Sequence, residues 1–328
     1  MPKSRKANRH CGKRKPDSKR TTALLKAAVT GELTRDWREM NKPTETGHDL
    51  LARIRAERAA NVPANGRRAY GPAPAPPDAS DLPKLPKSWA WGTLDALKAG
   101  DQRNGISIVG SPNPPGVKAL RLDALTPSGI DVSVARYIPL ADERIADYRI
   151  RGGDLLVSRA NGSAELVGRA VYVAEIDETV VFPDTMIRYP LGGDLQLGQW
   201  IGLAWTSPLT RVQIRRLAKT TAGILKISQQ DISRIALPVP PFPETAEILR
   251  RVSDALTATS EARALLDTEA ADAARLRQSI LKAAFEGRLV PQDPDDEPAS
   301  ALLARMKPPA NEGSRRAGRR RAVPASAR

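Results

Sequence analysis

The residues best suited to chemistry are the basic side chains between positions 205 and 234. This segment carries six Lys/Arg against one acid, Asp231, which gives a local net charge of +5. Helical spacing places Arg211 and Arg215 on one face, and residues 219–226 offer a flexible loop of hydrogen-bond donors. Such a cluster favours binding to phosphate oxygens, although a solvated basic helix face is the alternative. The residues predicted to contact DNA here are Arg211, Arg215, Arg216, Lys219, Thr220, Thr221, Lys226, Ser228 and Gln229.

A second polar cluster follows the apolar run at 155–157, which predicts a buried strand. The tight turn after it presents Arg159, Asn161 and Ser163. Arginine recognises guanine and asparagine recognises adenine in the DNA major groove, so these side chains are candidates for base contacts. The dipeptide Asn161-Gly162 is also an ordinary hairpin signal, which leaves a purely structural turn as the alternative.

No pattern of catalytic residues stands out in the sequence. The turn Asn113-Pro-Pro-Gly116 has glycine where the Asn-Pro-Pro-aromatic element of adenine methyltransferases has its ring. The sequence has no phosphate loop of the Gly-Lys-Ser/Thr type, and Pro183-Asp184 lacks the lysine partner of a metal-dependent nuclease. One cysteine and two histidines are too few for a zinc site. We therefore predict no catalytic residue, no metal ligand and no cofactor.

The positive charge of the chain is concentrated at its ends. The formal net charge is +15 over 328 residues, and 41% of the residues are apolar, which is enough for a core. Residues 1–20 contribute +8 and residues 311–328 contribute +5, so we predict two disordered basic tails on a nearly neutral body. A lone cysteine, no membrane span and no secretory signal predict a cytoplasmic protein without membrane contact.

Composition also divides the chain into segments of an α+β protein. Short β-rich runs between Gly, Pro, Asn and Asp over residues 85–243 predict a mixed α/β domain with a twisted, mainly antiparallel sheet. Helices are predicted at Gln196–Ser207 and Pro208–Ala218. The predicted segments are helices at 21–60, a stiff proline-rich linker at 61–84, the mixed domain at 85–243, a long helix at 244–289 and a C-terminal segment at 290–310, between the basic tails at 1–20 and 311–328.

The run 244–289 is rich in Ala, Leu and Arg and predicts a coiled-coil-type helix about 65–70 Å long. The proline run Leu237–Pro243 before it is predicted to be an extended, stiff hinge. A heptad stripe follows the helix, and a helix of this length cannot bury such a stripe against one small domain. A partner helix is therefore predicted. The residues assigned to this helix-partner interface are Ile248, Val252, Leu266, Leu276 and Ile280.

One ten-residue string occurs near both ends of the chain. Leu24–Leu33 and Ile280–Leu289 share Leu-Lys-Ala-Ala, a glycine and a closing leucine at a shift of 256 residues. Similarly, Leu50–Ile54 matches Leu302–Met306 at a shift of 252 residues. The period is too long for a solenoid repeat. We interpret the copies as ends of two equivalent helices, and we expect them near opposite ends of the helix axis of the mixed domain.

Several further motifs follow one another between residues 21 and 307. They are Leu85-Pro-Lys-Ser-Trp-Ala-Trp91, Gly153-Asp-Leu-Leu-Val-Ser-Arg-Ala-Asn-Gly162 with Gly168-Arg169, Asp184-Thr-Met-Ile-Arg188, Ala218-Lys-Thr-Thr-Ala-Gly223 with Ile227-Ser-Gln229, and Leu237-Pro-Val-Pro-Pro241. With the two Leu-Lys-Ala-Ala copies, this order resembles the DNA-specificity subunit of type I restriction-modification enzymes. In that family two target-recognition domains each read half of a bipartite DNA site, and two long antiparallel helices separate them. The resemblance implies that 85–243 is one recognition domain and 244–289 one spacer helix.

The resemblance also implies partners. These are double-stranded DNA, the methyltransferase subunits that dock on the helices and, through the complex, an ATP-driven restriction subunit of a host-defence system. Because a full-length member has two recognition domains, we interpret the chain as the second half of such a subunit. It is either a truncated or split product, or a half-subunit that pairs with a second copy or a separate half.

The predicted function is that of a non-catalytic, sequence-specific DNA-binding subunit that directs the methyltransferase and restriction subunits to a DNA site. The alternative is a fragment that acts only as a helical interaction scaffold, without DNA selectivity. A third hypothesis, a methyltransferase, requires that the chain bind S-adenosylmethionine.

Overall fold

The structure is a computed structural model that describes residues 15–60, 77–78, 80–221, 223–291 and 293–306, except for the side chains of 15–18 and 221. Most of the predicted tails and linker lie outside these residues. The helices are α1 (Lys15–Thr30), α2 (Arg35–Met40), α3 (Gly47–Ala60), α4 (Leu94–Leu97), α5 (Asp142–Tyr148), α6 (Leu195–Thr206), α7 (Pro208–Leu217), α8 (Gln229–Ser233), α9 (Phe242–Phe285) and α10 (Ala299–Met306). The strands are β1 (Ala90–Thr93), β2 (Arg103–Asn104), β3 (Val117–Leu120), β4 (Leu125–Thr126), β5 (Gly129–Ile130), β6 (Ala135–Ile138), β7 (Asp154–Ser158), β8 (Ala160–Asn161), β9 (Ala170–Val173), β10 (Val180–Val181), β11 (Met186–Pro190), β12 (Lys219–Thr221), β13 (Ile224–Lys226) and β14 (Ala236–Val239).

The predicted class, helices with a mainly antiparallel sheet and one long helix, is confirmed. The strands belong to five small sheets, with the orders β2-β11-β7-β9, β10-β3-β6, β12-β13-β8, β1-β14 and β4-β5. Among the described strand pairs, only β10–β3 is parallel. Short sheets of this kind make local platforms, and one of them carries the candidate site.

The core is organised around β7, whose five residues are all buried. Leu155 and Val157 belong to a cluster that includes Trp200 of α6, and Leu156 belongs to a separate cluster with Phe182. When both faces of a strand pack against apolar residues, its sequence is apolar throughout and does not alternate between apolar and polar residues. The prediction of a buried strand before the polar turn is therefore confirmed.

Helices α6 and α7 lie within one residue of their predicted bounds. Each begins at a side-chain cap: the Asp194 carboxylate accepts a hydrogen bond from the Leu197 amide at 2.9 Å, and the Ser207 hydroxyl accepts one from the Thr210 amide at 3.3 Å. Pro208 stands in the first turn of α7, where its missing N–H costs nothing. These local signals explain why the helices were predictable.

Strands β1 and β14 pair antiparallel although they are far apart in sequence, with Ala90 opposite Val239. The pairing corrects the prediction of a proline hinge. All of β14 is buried, and α9 begins at Phe242, before the predicted start, because proline is tolerated in a first helical turn. A Cβ atom at Gly47, the first residue of α3, would lie 2.0 Å from the carbonyl oxygen of Val239, so only glycine permits this close approach.

The bounds of α1 and α9 also differ from prediction. Helix α1 begins at Lys15, inside the predicted disordered tail, and α9 ends at Phe285, short of 289. Both copies of the repeated string do lie at helix C-termini. In each copy the glycine adopts the left-handed region, Gly31 with φ 78° and Gly287 with φ 67°, which is the usual helix stop.

The chain divides into two compact units, Met1–Thr259 and Ser260–Arg328. In the first, Ile248 and Val252 of α9 are buried in the unit's own core, so they are not available to a partner helix as predicted. In the second, Leu266, Leu276 and Ile280 are 68%, 62% and 46% exposed, and their assignment to a partner interface stays a prediction. The two string copies lie in different units, so their expected placement also stays a prediction.

The beginning of α9 is joined to the N-terminal helices by one buried carboxylate. Glu244 is fully buried and accepts hydrogen bonds from the Thr34 hydroxyl at 2.6 Å and the Trp89 indole N–H at 2.8 Å, and it forms an ion pair with Arg38. Two turns later, Arg251 donates to the Leu33 carbonyl oxygen at 2.7 Å and pairs with the nearby Asp36. These contacts hold residues 33–38 against the first turns of α9.

A second buried carboxylate makes stability depend on pH. Asp154, at the start of β7, is 4% exposed. Its Oδ2 accepts a hydrogen bond from the Arg151 amide at 2.7 Å, but burial dominates and raises its pKa to about 6. Since this folded-state pKa lies above the unfolded value of about 3.9, the folded state binds more protons between about pH 4 and 6. The stabilisation is present in full below about pH 4 and is lost as the pH rises through 6.

We therefore expect the free energy of unfolding to fall by about 1.3 kcal/mol between pH 5 and pH 7 through this group. Urea unfolding at both pH values measures the change, and Asp154→Asn is expected to remove it. Asp36 and Glu247 do not interfere, because ion pairs with arginine lower each pKa to about 2 and their contributions change only in more acidic solution. Equal pH dependence in the wild type and in Asp154→Asn contradicts the assignment.

Candidate nucleic-acid interface

The two clusters selected from the sequence come together in one three-stranded sheet. Strand β13 pairs with β12 on one side and with β8 on the other, so that Leu225 is opposite Asn161. The Ile227 amide extends the ladder by donating to the Arg159 carbonyl oxygen at 2.9 Å. The polar turn and the basic hairpin thus form a single surface, which we call the β8/β12/β13 surface.

This surface carries cations that have no ion-pair partner among the described residues. Lys219 and Lys226 lie directly opposite each other in the β12–β13 ladder, and both are exposed. Like charges at opposed positions are destabilising unless an anion lies between them. Among the described residues, neither lysine has an ion pair or a side-chain hydrogen bond, and the same holds for Arg159 and Arg234. Four positive groups are thus available to an anionic ligand.

Arg211 has a structural role in place of the predicted phosphate contact. Its guanidinium donates to the carbonyl oxygens of Ala164 at 2.7 Å and Val167 at 2.5 Å. Arg211 is half-buried, and this burial lowers the pKa of its guanidinium. Arg211 therefore holds the 163–168 turn, and the phosphate contact predicted for it is corrected.

Arg215 and Arg216 are exposed but paired. Arg215 contacts Glu165 at 2.5 Å and Arg216 contacts Asp81 at 2.8 Å. Exposed pairs of this kind contribute little, about 0–1 kcal/mol. Both arginines can therefore exchange a carboxylate for a phosphate, and their contact with DNA stays a prediction.

The hydroxyl and amide side chains of the surface differ in how many of their hydrogen-bonding groups remain available to a ligand. The Asn161 side-chain oxygen accepts from the Ser163 amide at 3.1 Å, and its NH₂ group has no partner among the described residues. The Ser163 hydroxyl accepts from the Glu165 amide, and Ser228 caps α8 through the Asp231 amide at 3.1 Å. Thr220 is exposed, whereas the side chain of Thr221 lies outside the described residues. Asn161 and Thr220 are thus the polar groups best placed to meet a ligand.

An open groove of about 1470 Å³ adjoins the surface and shares Arg159 and Ser228 with it. Most of its lining residues have polar side chains, among them amides, arginines and three aspartates. Sequence reasoning missed Asn104 of β2, Arg58 and Gln230 in this lining. The short polar run Gln102-Arg-Asn104 is the signal that was available, because it lacks any apolar residue. Residues from α3, β2 and α8 meet here only through the tertiary fold.

The described residues do not suggest a catalytic or membrane site. They contain no group of three or more His, Cys, Asp or Glu side chains suited to a metal ion. The turn Asn113–Gly116 is exposed on the surface. Within the described part of the chain, every helix is too short or too polar to cross a lipid bilayer.

Comparisons with known proteins give relatives of one kind. No protein-family model matches the chain. It is 32% identical over 231 residues to the type I restriction enzyme EcoKI specificity subunit of Escherichia coli K12, covering 67% of this chain and 49% of that protein. It is 28% identical over 227 residues to the StySPI specificity subunit of Salmonella potsdam, with the same coverages. The chain thus spans about half the length of these relatives.

Solved structures give weaker matches. The HsdS subunit of Thermoanaerobacter tengcongensis aligns with a TM-score of 0.40 and 18% identity, covering 83% of this chain and 59% of that one. A chain from a structure of type I R-M system assembly aligns with a TM-score of 0.45 and 18% identity, covering 83% and 60%.

Proposed function

Since the chain belongs to the specificity subunits of type I restriction enzymes, we propose that it recognises a specific DNA sequence and has no catalytic role of its own. The observation that carries this proposal is the pair of opposed lysines on the β8/β12/β13 surface. Two like charges directly opposite each other destabilise a strand pair, and a polyanion that contacts both relieves the repulsion. The phosphates of double-stranded DNA are such a polyanion.

The proposal assigns different tasks to the surface and to the groove beside it. The unpaired cations Arg159, Lys219, Lys226 and Arg234 contact phosphates and fix the position of the duplex, and the polar side chains of the turn and groove contact base edges. Asn161 is one such reader because its NH₂ group has no partner among the described residues. Arg215 and Arg216 contribute phosphate contacts once they release their carboxylates.

We also propose that the chain brings methyltransferase subunits, and through them a restriction subunit, to its DNA site in the cytoplasm. The exposed apolar positions Leu266, Leu276 and Ile280 of α9 support a helical partner, because an apolar stripe at helical spacing is stabilised by burial. A second copy of the chain or a separate half-subunit fits the same stripe.

Selection from a duplex library with a randomised 20-base-pair core tests the function. The full chain is used alone and together with its methyltransferase subunit. We expect recovery of a defined sequence in at least one condition, with affinity that falls as salt rises. No sequence enrichment in either condition contradicts the proposal. That result supports the second candidate function, a helical interaction scaffold. The exposed apolar residues Leu266, Leu276 and Ile280 of α9 also favour this second candidate.

A further inference from the structure

Two side-chain amides that are 125 residues apart in sequence meet at the groove. Gln229, the first residue of α8, donates from Nε2 to Oδ1 of Asn104, the last residue of β2, at 2.8 Å. Both residues line the groove beside Arg159 and Arg234. Asn104 was not selected from the sequence, so this pair is a product of the fold.

Both amides are anchored from the same central strand, β11. Asn104 is opposite Ile187 in the β2–β11 ladder, and the backbone carbonyl oxygen of Gln229 accepts a hydrogen bond from the Tyr189 hydroxyl at 3.0 Å. Ile187 and Tyr189 are completely buried. The backbones of the pair are therefore fixed by the core, and only the amide ends reach the groove. Groups held in this way lose little conformational entropy when they bind.

The hydrogen bond inside the pair leaves a defined set of groups for a ligand. Asn104 keeps N–H donors on Nδ2, and Gln229 keeps an acceptor on Oε1; no other described residue occupies them. The amide oxygen and nitrogen of both side chains can also be assigned the other way round. The pair then still has one free acceptor and one free donor group. The pair therefore offers an unoccupied donor and an unoccupied acceptor on two linked side chains, the two kinds of group that a single bidentate amide offers.

We propose that the Asn104–Gln229 pair reads adenine in the major groove of bound DNA. Adenine is the base whose major-groove edge offers an N6–H donor beside the N7 acceptor. Its N6–H donates to Gln229 Oε1, and Asn104 Nδ2 donates to N7. Thymine and cytosine lack this combination, and guanine offers two acceptors. Arg159 and Arg234 hold the flanking phosphates while the amides contact the base edge.

This inference rests on the proposed function, and the library selection is extended to separate the two. The wild-type full chain, Gln229→Ala and Asn104→Ala are compared on the same randomised duplex library, with circular dichroism and thermal unfolding to confirm folding. Each substitution is expected to reduce the preference for adenine at one position of the site by about 10-fold or more, and to leave the other positions unchanged. Asn104→Ala lies outside α8, so a defect of that helix cannot explain a shared result.

Gln199→Ala is the matched control, because Gln199 is an exposed glutamine of α6 that does not line the groove. It is expected to keep the adenine preference. If the wild type selects a sequence and both substituted variants keep the same base preferences, the amide-pair inference is wrong. The proposed function is unaffected by that result. A wild type that selects no sequence overturns both.

Discussion

Replacing Glu244 by alanine is expected to lower the free energy of unfolding of the first unit by about 3–5 kcal/mol. The substitution removes the acceptor for the Thr34 hydroxyl and the Trp89 indole, and it leaves the Arg38 guanidinium without its carboxylate. A buried donor without a partner costs about 1–3 kcal/mol each, more for a charged group, because it has given up its water. Guanidinium chloride unfolding followed by tryptophan fluorescence measures the loss.

Two further variants make this test specific. Glu244→Gln keeps the shape and one acceptor but removes the charge opposite Arg38, so an intermediate loss is expected. Glu261→Ala, on the exposed part of the same helix, is expected to change stability by less than about 0.5 kcal/mol. A loss below about 1 kcal/mol for Glu244→Ala would show that the carboxylate does not hold α9 to the N-terminal helices.

The second large effect is expected on DNA binding. Replacing Arg159, Lys219, Lys226 and Arg234 together by alanine is expected to weaken binding about 1000-fold at 0.1 M salt. Each phosphate contact contributes about 0.9 to the slope of log K against log salt, so four lost contacts reduce that slope by about 3–4. Fluorescence anisotropy with a labelled duplex across a salt series measures both quantities.

A control variant with the same change in net charge distinguishes the effect of local phosphate contacts from that of overall charge. The control variant replaces four exposed lysines that neither line the groove nor belong to the β8/β12/β13 surface, namely Lys26, Lys42, Lys84 and Lys87. The control variant is expected to keep most of the slope of log K against log salt. Similar losses in the two variants would mean that the chain attracts DNA only through its overall charge, and the proposed surface would be wrong.

Sequence patterns were sufficient for those parts of the fold that depend on near neighbours. Helices α6 and α7 were placed within a residue because Asp194 and Ser207 are caps, and β7 was recognised because both of its faces are buried. The start of α1 was missed because its first turn is polar. Pro16 near the helix start was the available signal, since proline favours the first turn.

Contacts between distant residues were beyond the reach of those patterns. Arg211 was taken for a phosphate ligand because its carbonyl acceptors lie more than 40 residues earlier in the chain. Ile248 and Val252 were assigned to a partner, although the core they enter includes Ala28 and Leu50 of the N-terminal helices. The site was predicted in its charged part, the turn and the hairpin. The groove was not, because α3, β2 and α8 meet only after folding.

The pairing of β1 with β14 has a consequence for how the molecule can be rebuilt. Trp91 is opposite Pro238, so the strand that enters the mixed domain and the strand that leaves it are neighbours, about 4.8 Å apart. The domain between them leaves the helical part of the chain and returns to it at neighbouring strands, and its helices α6 and α7 also pack against α1. A different domain that opens and closes with the same two strands is expected to fit this opening when it presents a matching apolar face to α1. The chain is thus suited to exchange of a whole cassette, with its cut sites at β1 and β14.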